Sequence, residues 1–170
     1  MNLSTFSKEF SNKWVAIGGN RWINSKISNK ISQVTKKLID SKCKIVTGGA
    51  DGTDHAAMVT CLKYKIPKNS FKVFLPFNIQ KQYQYERKLG GRKKAEILAQ
   101  TLYKIKKFYP NSIIENKRIF QNYRKAADFR NTLIVKLAKG AIIFSPSRSK
   151  GILDALKKIG EKGIPYIIFQ

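Results

Sequence analysis

Short apolar runs ending in glycine or proline recur along this chain, separated by stretches with apolar residues every three or four positions. Trp14-Val-Ala-Ile17 runs into Gly18-Gly19 and reads as a buried strand entering a turn. Ile23, Ile27, Ile31, Val34 and Leu38 then follow helical spacing, with lysines on the opposite face, and Ser41-Lys42 ends the helix. Lys44–Thr47 reads as a second strand, followed by the glycine-rich "TGGADGTDHAAM". Asp54–Tyr64 is predicted helical and stopped by Pro67, and Phe71–Leu75 is a third strand closed by Pro76.

Residues 78–127 break this rhythm: they are basic and rich in tyrosine. Within them Ile97, Leu98, Leu102, Ile105 and Phe108 place a helix over Ala95–Phe108, closed by Pro110, and "ENKRIFQNYRKAADFRN" reads as a further basic helix. Leu133–Ala138 ends a helix, Gly140–Phe144 is a strand, Ile152–Glu161 a helix and Tyr166–Phe169 a last strand. Strands alternating with helices predict an α/β fold, a doubly wound, Rossmann-like parallel sheet of about five strands covered on both faces. The reading is of a single domain over 1–170, with 78–127 as a basic α-rich insert.

Charge changes the picture most. The chain of 170 residues has 34 Lys and Arg against 10 Asp and Glu, a formal net charge of +24. Such an excess repels itself and calls for a polyanion, with nucleic acid the first candidate and an anionic surface the second. A lysine-rich genome bias accounts for part of the lysine count but not for so few acids. Cys43 and Cys61 stand apart, His55 is the lone histidine, and no spacing suits a metal, so reduced buried thiols and no metal site are expected. No apolar run is long enough to span a membrane, and the first residues lack the apolar core of a signal peptide. A soluble cytoplasmic protein is the expectation.

In such a sheet ligands bind beyond the carboxyl ends of the strands. Three loops fall at that edge: Gly18-Gly19-Asn20-Arg21, Gly48 to Asp54, and Ser145 to Gly151. Each leads toward a helix, whose free N–H groups suit phosphate. Arg21, Arg148 and Lys150 add charge, Thr53, Ser147 and Ser149 add hydroxyls, and Asp54 suits a ribose hydroxyl. One such loop alone is most simply a tight turn with Thr53 or Asp54 capping a helix; three at one edge favour a nucleotide-like ligand. There is no GxxxxGK[ST] and no GxGxxG, which disfavours nucleoside triphosphate hydrolysis and an ordinary dinucleotide site.

The motifs "WVAIGGNR", "IVTGGADGTDHAAM", "ADFRNTLIVKLAKGAIIF" and "SRSKGILDALKKIGEKGIPYIIF" together resemble the SLOG superfamily of Rossmann-like nucleotide-ligand binders, in particular its DNA-processing protein A/Smf-like and YAcAr-like branches. The likeness covers roughly 13–76 and 126–169. It implies a pocket of Gly18, Gly19, Asn20, Arg21, Gly48, Gly49, Gly52, Thr53, Asp54, Arg130, Asn131, Ser147, Ser149 and Gly151, with Arg130 meeting a phosphate. LOG-type phosphoribohydrolases of the superfamily carry PGGxGTxxE in the last loop, where the glutamate serves catalysis. Here the loop reads SPSRSKGILDA, with only Asp154 near the place of that acid, where the helix dipole gives a first-turn acid a simpler role. A solvated or structural role is likewise the simpler reading of His55, so no catalytic residue is assigned and no cofactor is required beyond an optional bound nucleotide.

The insert supplies Arg87, Arg92, Lys93, Lys94, Lys104, Lys106, Lys107, Arg118 and Arg124, interleaved with Tyr83, Tyr85, Tyr103, Tyr109 and Tyr123. Basic residues can track a phosphate backbone while aromatics stack bases, or the tyrosines can pack onto the sheet. DNA-processing protein A relatives bind single-stranded DNA through positive surfaces, so the resemblance and the charge agree. The primary expectation is a protein binding nucleic acid, single-stranded DNA or RNA, with a nucleotide pocket and no membrane partner. A small-nucleotide sensor or LOG-like phosphoribohydrolase, and a basic scaffold subunit of a ribonucleoprotein, stay open as alternatives, as does a homodimer.

Overall fold

A computed structural model describes residues 1–147 and 149–170; Arg148, assigned above to the charge of the last loop, lies outside the described residues. Helix α1 spans Leu3–Glu9, β1 Trp14–Gly19, α2 Ser25–Asp40, β2 Lys44–Gly48, α3 Thr53–Lys63 and β3 Phe71–Leu75. Then follow α4 over Ile79–Gly90, α5 over Arg92–Phe108, β4 over Ile113–Glu115, α6 over Tyr123–Leu137, β5 over Gly140–Phe144, α7 over Lys150–Lys162 and β6 over Tyr166–Phe169. All strand pairs are parallel, in the order β4-β3-β2-β1-β5-β6. The sheet thus has six strands rather than about five.

Strand residues alternate between two cores, as the pleat requires. Val15, Ile17, Ile45, Ile142 and Phe144 face a large cluster closed by Ile31, Val34 and Leu38 of α2, Met58 and Cys61 of α3, and Leu98, Leu102 and Ile105 of α5. Ala16, Val46, Ala141 and Ile143 face a smaller cluster closed by Ile134 and Val135 of α6 and Ile152 and Ile159 of α7. Both faces of the sheet are therefore covered, and the alternating, all-apolar strand sequences follow from that. Asparagine and serine set the helix starts: Asn24, Asn78, Asn122 and Ser149 each accept a hydrogen bond from a backbone N–H three residues on.

Three features differ from the sequence expectations. Residues 115–122 are not helical; β4 ends at Glu115 and α6 starts only after the Asn122 cap. The Asn116 side chain donates to the Pro76 carbonyl and accepts from the Arg118 amide, which holds this connection irregular. Second, the insert is not peripheral to the sheet: α5 packs on the large core and β4 extends the sheet beside β3. Third, α1 forms at the N-terminus, where Phe6 and Phe10 stack at 4.4 Å between ring centroids. Their rings fill the space above Gly140, where a Cβ would meet Phe6 at 2.7 Å. Both cysteines are free and buried, and burial pushes the Cys43 thiol up to about 11.

Phe6 is fully buried. Phe6→Ala is therefore expected to cost about 3–5 kcal/mol, read as a lowered midpoint in urea unfolding with an unchanged slope. A loss below about 1 kcal/mol would mean that α1 is not part of the cooperative core.

Candidate nucleic-acid and phosphate-binding site

The chain moves outward from β1 through β2, β3 and β4, then crosses back to place β5 on the other side of β1. The strand order reverses between β1 and β5, and a crevice opens there by geometry alone. A cavity of about 600 Å³ occupies it.

Asn20, the first residue beyond β1, joins the three loops around this cavity. Its backbone N–H donates to the Phe144 carbonyl at the end of β5, and its own carbonyl accepts from both the amide and the hydroxyl of Thr53. Its side-chain amide donates to the Ser147 hydroxyl at 2.5 Å. Glycine is required at two of these joints by close approach. A Cβ on Gly19 would strike the Phe144 carbonyl, and Gly52, at φ +81, brings α3 against the carbonyls of Asn20 and Arg21.

Eleven of the fourteen pocket residues read from the sequence line the cavity: Gly18, Gly19, Asn20, Arg21, Gly48, Asp54, Arg130, Asn131, Ser147, Ser149 and Gly151. Gly49, Gly52 and Thr53 do not. A Cβ on Gly49 would run into Leu75, so this glycine lets β2 and β3 pack rather than facing a ligand. Gly52 and Thr53 are the joint to the first loop just described. Gly18 is the opposite case: a Cβ there meets nothing within 4 Å.

The two cavity arginines differ in how their charge is held. Arg21 is paired with the buried Glu86 of α4 and lies 3.4 Å from the Tyr123 hydroxyl. Glu86 also accepts from the Gln82 side chain at 2.7 Å. Burial pushes the Glu86 carboxyl up, against the pull of the Arg21 guanidinium. Arg130 projects from α6 toward Asp54 at 3.6 Å, too long for a hydrogen bond. Its Nε and Nη1 are buried without an acceptor. Asp54 is the ionic partner of Arg130 without a hydrogen bond between them: it accepts instead from the Thr47 hydroxyl at 3.1 Å and the Ala50 amide at 3.3 Å, and burial pushes its carboxyl up. It does not cap α3, whose N-cap is Gly52 without a side-chain bond. Arg130 is the group with donors to spare.

Asn131 turns away from phosphate chemistry, donating to Asp154 at 3.0 Å and tying α6 to α7. Asp154 is also bound by Lys158 and sits beyond the first turn of α7, so it is not a helix-end acid. His55 lies outside the cavity; its Nε2 is 3.0 Å from the Thr101 hydroxyl and its Nδ1 3.8 Å from Asp51. Among the described residues no cluster of His, Cys, Asp and Glu could hold a metal ion, and no helix is long and apolar enough to cross a membrane.

The insert forms one wall. Tyr85 and Tyr123 stack with ring centroids 3.3 Å apart, and Tyr123 and Leu89 line the cavity. Tyr109 is buried in the core, whereas Tyr103 is exposed. Arg87, Arg92, Lys93, Lys94, Lys104, Lys106, Lys107, Arg118 and Arg124 are all exposed. Arg92, Lys106 and Arg124 pair with Glu96, Glu115 and Asp128. Trp22, which the sequence reading passed over, is exposed at the rim; its place directly after the Gly-Gly-Asn-Arg loop was the available signal.

A six-stranded parallel sheet covered on both faces, with a cavity at its reversal point, defines a Rossmann-like α/β protein. The family described as DNA recombination-mediator protein A matches residues 6–163, and the chain belongs to that family. Among solved structures it is similar to DNA processing protein A from Helicobacter pylori, whose single-stranded DNA binding mode that structure addresses. The TM-score is 0.66 at 18% identity, over 96% of this chain and 67% of that one. DNA processing protein A from Streptococcus pneumoniae matches at a TM-score of 0.48 and 15% identity, over 95% of this chain and 59% of that one. No curated protein matches the sequence.

Burial lowers the pKa of His55 from its usual 6.5, with Asp51 opposing. Its folded pKa is depressed, so its contribution to stability is present above pH 6.5 and is lost as pH falls through the folded value. The lone histidine gives an isolated NMR signal whose midpoint is expected below 6.5, moving lower still in Asp51→Asn. A midpoint at or above 6.5 would show that burial does not outweigh the pull of Asp51.

Proposed function

We propose that this protein binds single-stranded DNA, seating a backbone phosphate in the cavity between β1 and β5 and running the strand along the basic surface of the insert. Arg130 is the observation that carries this reading. A buried guanidinium with two unbonded N–H donors costs free energy until an anion accepts them. The rest of the cavity offers what a phosphate needs, with the Ser147 and Ser149 hydroxyls and the N-terminal end of α7 at its margin. Family membership supports the reading, as does the single-stranded DNA binding of the Helicobacter pylori relative.

The insert supplies the second half. Lys93, Lys94, Lys104 and Lys107 project from α5 with no acidic partner among the described residues. Neutralising phosphates with such side chains releases counterions, which makes binding steep in salt. A second reading is favoured by the size of the cavity. A volume of about 600 Å³ lies within the range of small-ligand clefts, so a mononucleotide could be its sole occupant.

Two variants separate the halves. Gly18→Val projects bulk into open cavity space without a clash, so the fold should survive while affinity for a labelled single strand falls about tenfold or more. Unchanged affinity would remove the cavity from the binding site. Arg92→Glu with Lys93→Glu and Lys94→Glu should weaken binding and flatten the slope of log K against log salt by about 2, from roughly 0.7 per lost phosphate contact on a single strand. An unchanged slope would remove the insert from the path. A panel of mononucleotides and an RNA strand of the same sequence complete the titration. Saturable mononucleotide binding with weak, salt-insensitive strand binding would establish the second reading.

A further inference from the structure

Trp22 stands out among the exposed apolar side chains. It is 58% exposed, in the loop between β1 and α2, although tryptophan is generally among the more buried residues. Its position is particular. The cavity between β1 and β5 and a second groove of about 330 Å³ share Arg21, Trp22 and Asp51 as lining, so the indole is the divide between them. The second groove runs past Ser28, Ser32, His55 and Ile97. The Lys94 ammonium lies 4.8 Å from the indole centroid, and Trp22 lies against Gly90 at the turn between α4 and α5.

We infer that Trp22 is a base-stacking platform over which a single strand passes from the phosphate cavity into the groove beside α3 and α5. The inference rests on the reading under Proposed function and adds to it where the strand goes and what receives its bases. The occupant follows from charge and shape. The groove is lined by Lys94 and the Ser28 and Ser32 hydroxyls, with Asp51 the one acid, at its divide from the cavity; the cation and hydroxyls suit a phosphate, and the apolar Ile23, Val59 and Ile97 suit a base. A tryptophan 58% exposed, with the Lys94 ammonium over one face of its ring, can stack any base on the other, because every base has a π face. The pairing with Lys94 matters: one aromatic and one cation at adjacent points match the alternation of base and phosphate along a strand. Arg21 takes no part in this, being occupied by Glu86.

Fluorescence tests the inference directly, because the chain has two tryptophans, one at the start of β1 and one in the loop beyond its end. Trp14 opens β1 at the edge far from the cavity, so Trp14→Phe leaves Trp22 as the sole reporter. A short oligothymidylate should quench its emission on saturation, while an abasic strand of the same length should bind with little quenching. Trp22→Ala should weaken oligothymidylate binding by about 5- to 100-fold and leave abasic binding unchanged, and Trp22→Phe should retain most of the affinity. The residue is exposed, so neither variant endangers the fold. Oligothymidylate binding without quenching, or equal affinity in Trp22→Ala, would overturn the platform while leaving the cavity and insert in place. Binding of neither strand by the unaltered protein would overturn the single-strand reading, and the platform with it.

Discussion

Asn20 is the constraint around which this molecule is organised. Where the chain leaves β1 for the loop at the reversal point, its backbone groups must still be paired, because buried amides and carbonyls cannot be left without partners. Here one residue closes the account on both sides. Its amide reaches β5, its carbonyl receives α3, and its side chain holds the last loop. The glycines beside it exist for the same reason, since Gly19 and Gly52 permit the close approaches these bonds demand. The cavity is what remains when three loops are drawn to one point and their side chains cannot fill the middle.

Electrostatics follows from that geometry. Two of the ten acids, Asp54 and Glu86, each stand beside one of the site's arginines, and Asp51 and Asp128 also line the cavity. Most of the others pair with cations along their own helices, where exposed pairs contribute little. The cations of α5 are thereby left to dominate the surface of the insert.

Much of this could be read in the sequence because the sheet dictates it. Strands buried on both faces must be apolar throughout, so Val15–Ile17, Ile45–Val46 and Gly140–Phe144 announced themselves, and the helices between them showed their period. What escaped depends on contacts far apart in the chain. β4 has three residues, too few for any period, and becomes a strand only by lying beside β3. The division of the glycines was likewise hidden. Gly18 and Gly49 look alike in sequence, yet one opens onto the cavity and the other onto Leu75, a difference fixed by β3. Arg21 reads as a free phosphate ligand until Glu86, sixty-five positions away, is folded against it.

The pairing of Arg21 with Glu86 has a consequence for how such a chain can be shortened or recombined. A segment that merely decorates a fold can be excised at its ends and the remainder will close. Residues 78–127 are not such a segment. Removing them would strip the edge strand and the α5 contribution from the larger core, and would strand a guanidinium that the first loop has turned inward. The sheet and its basic insert therefore fold as one unit, and a shortened chain would also need a different residue after Asn20.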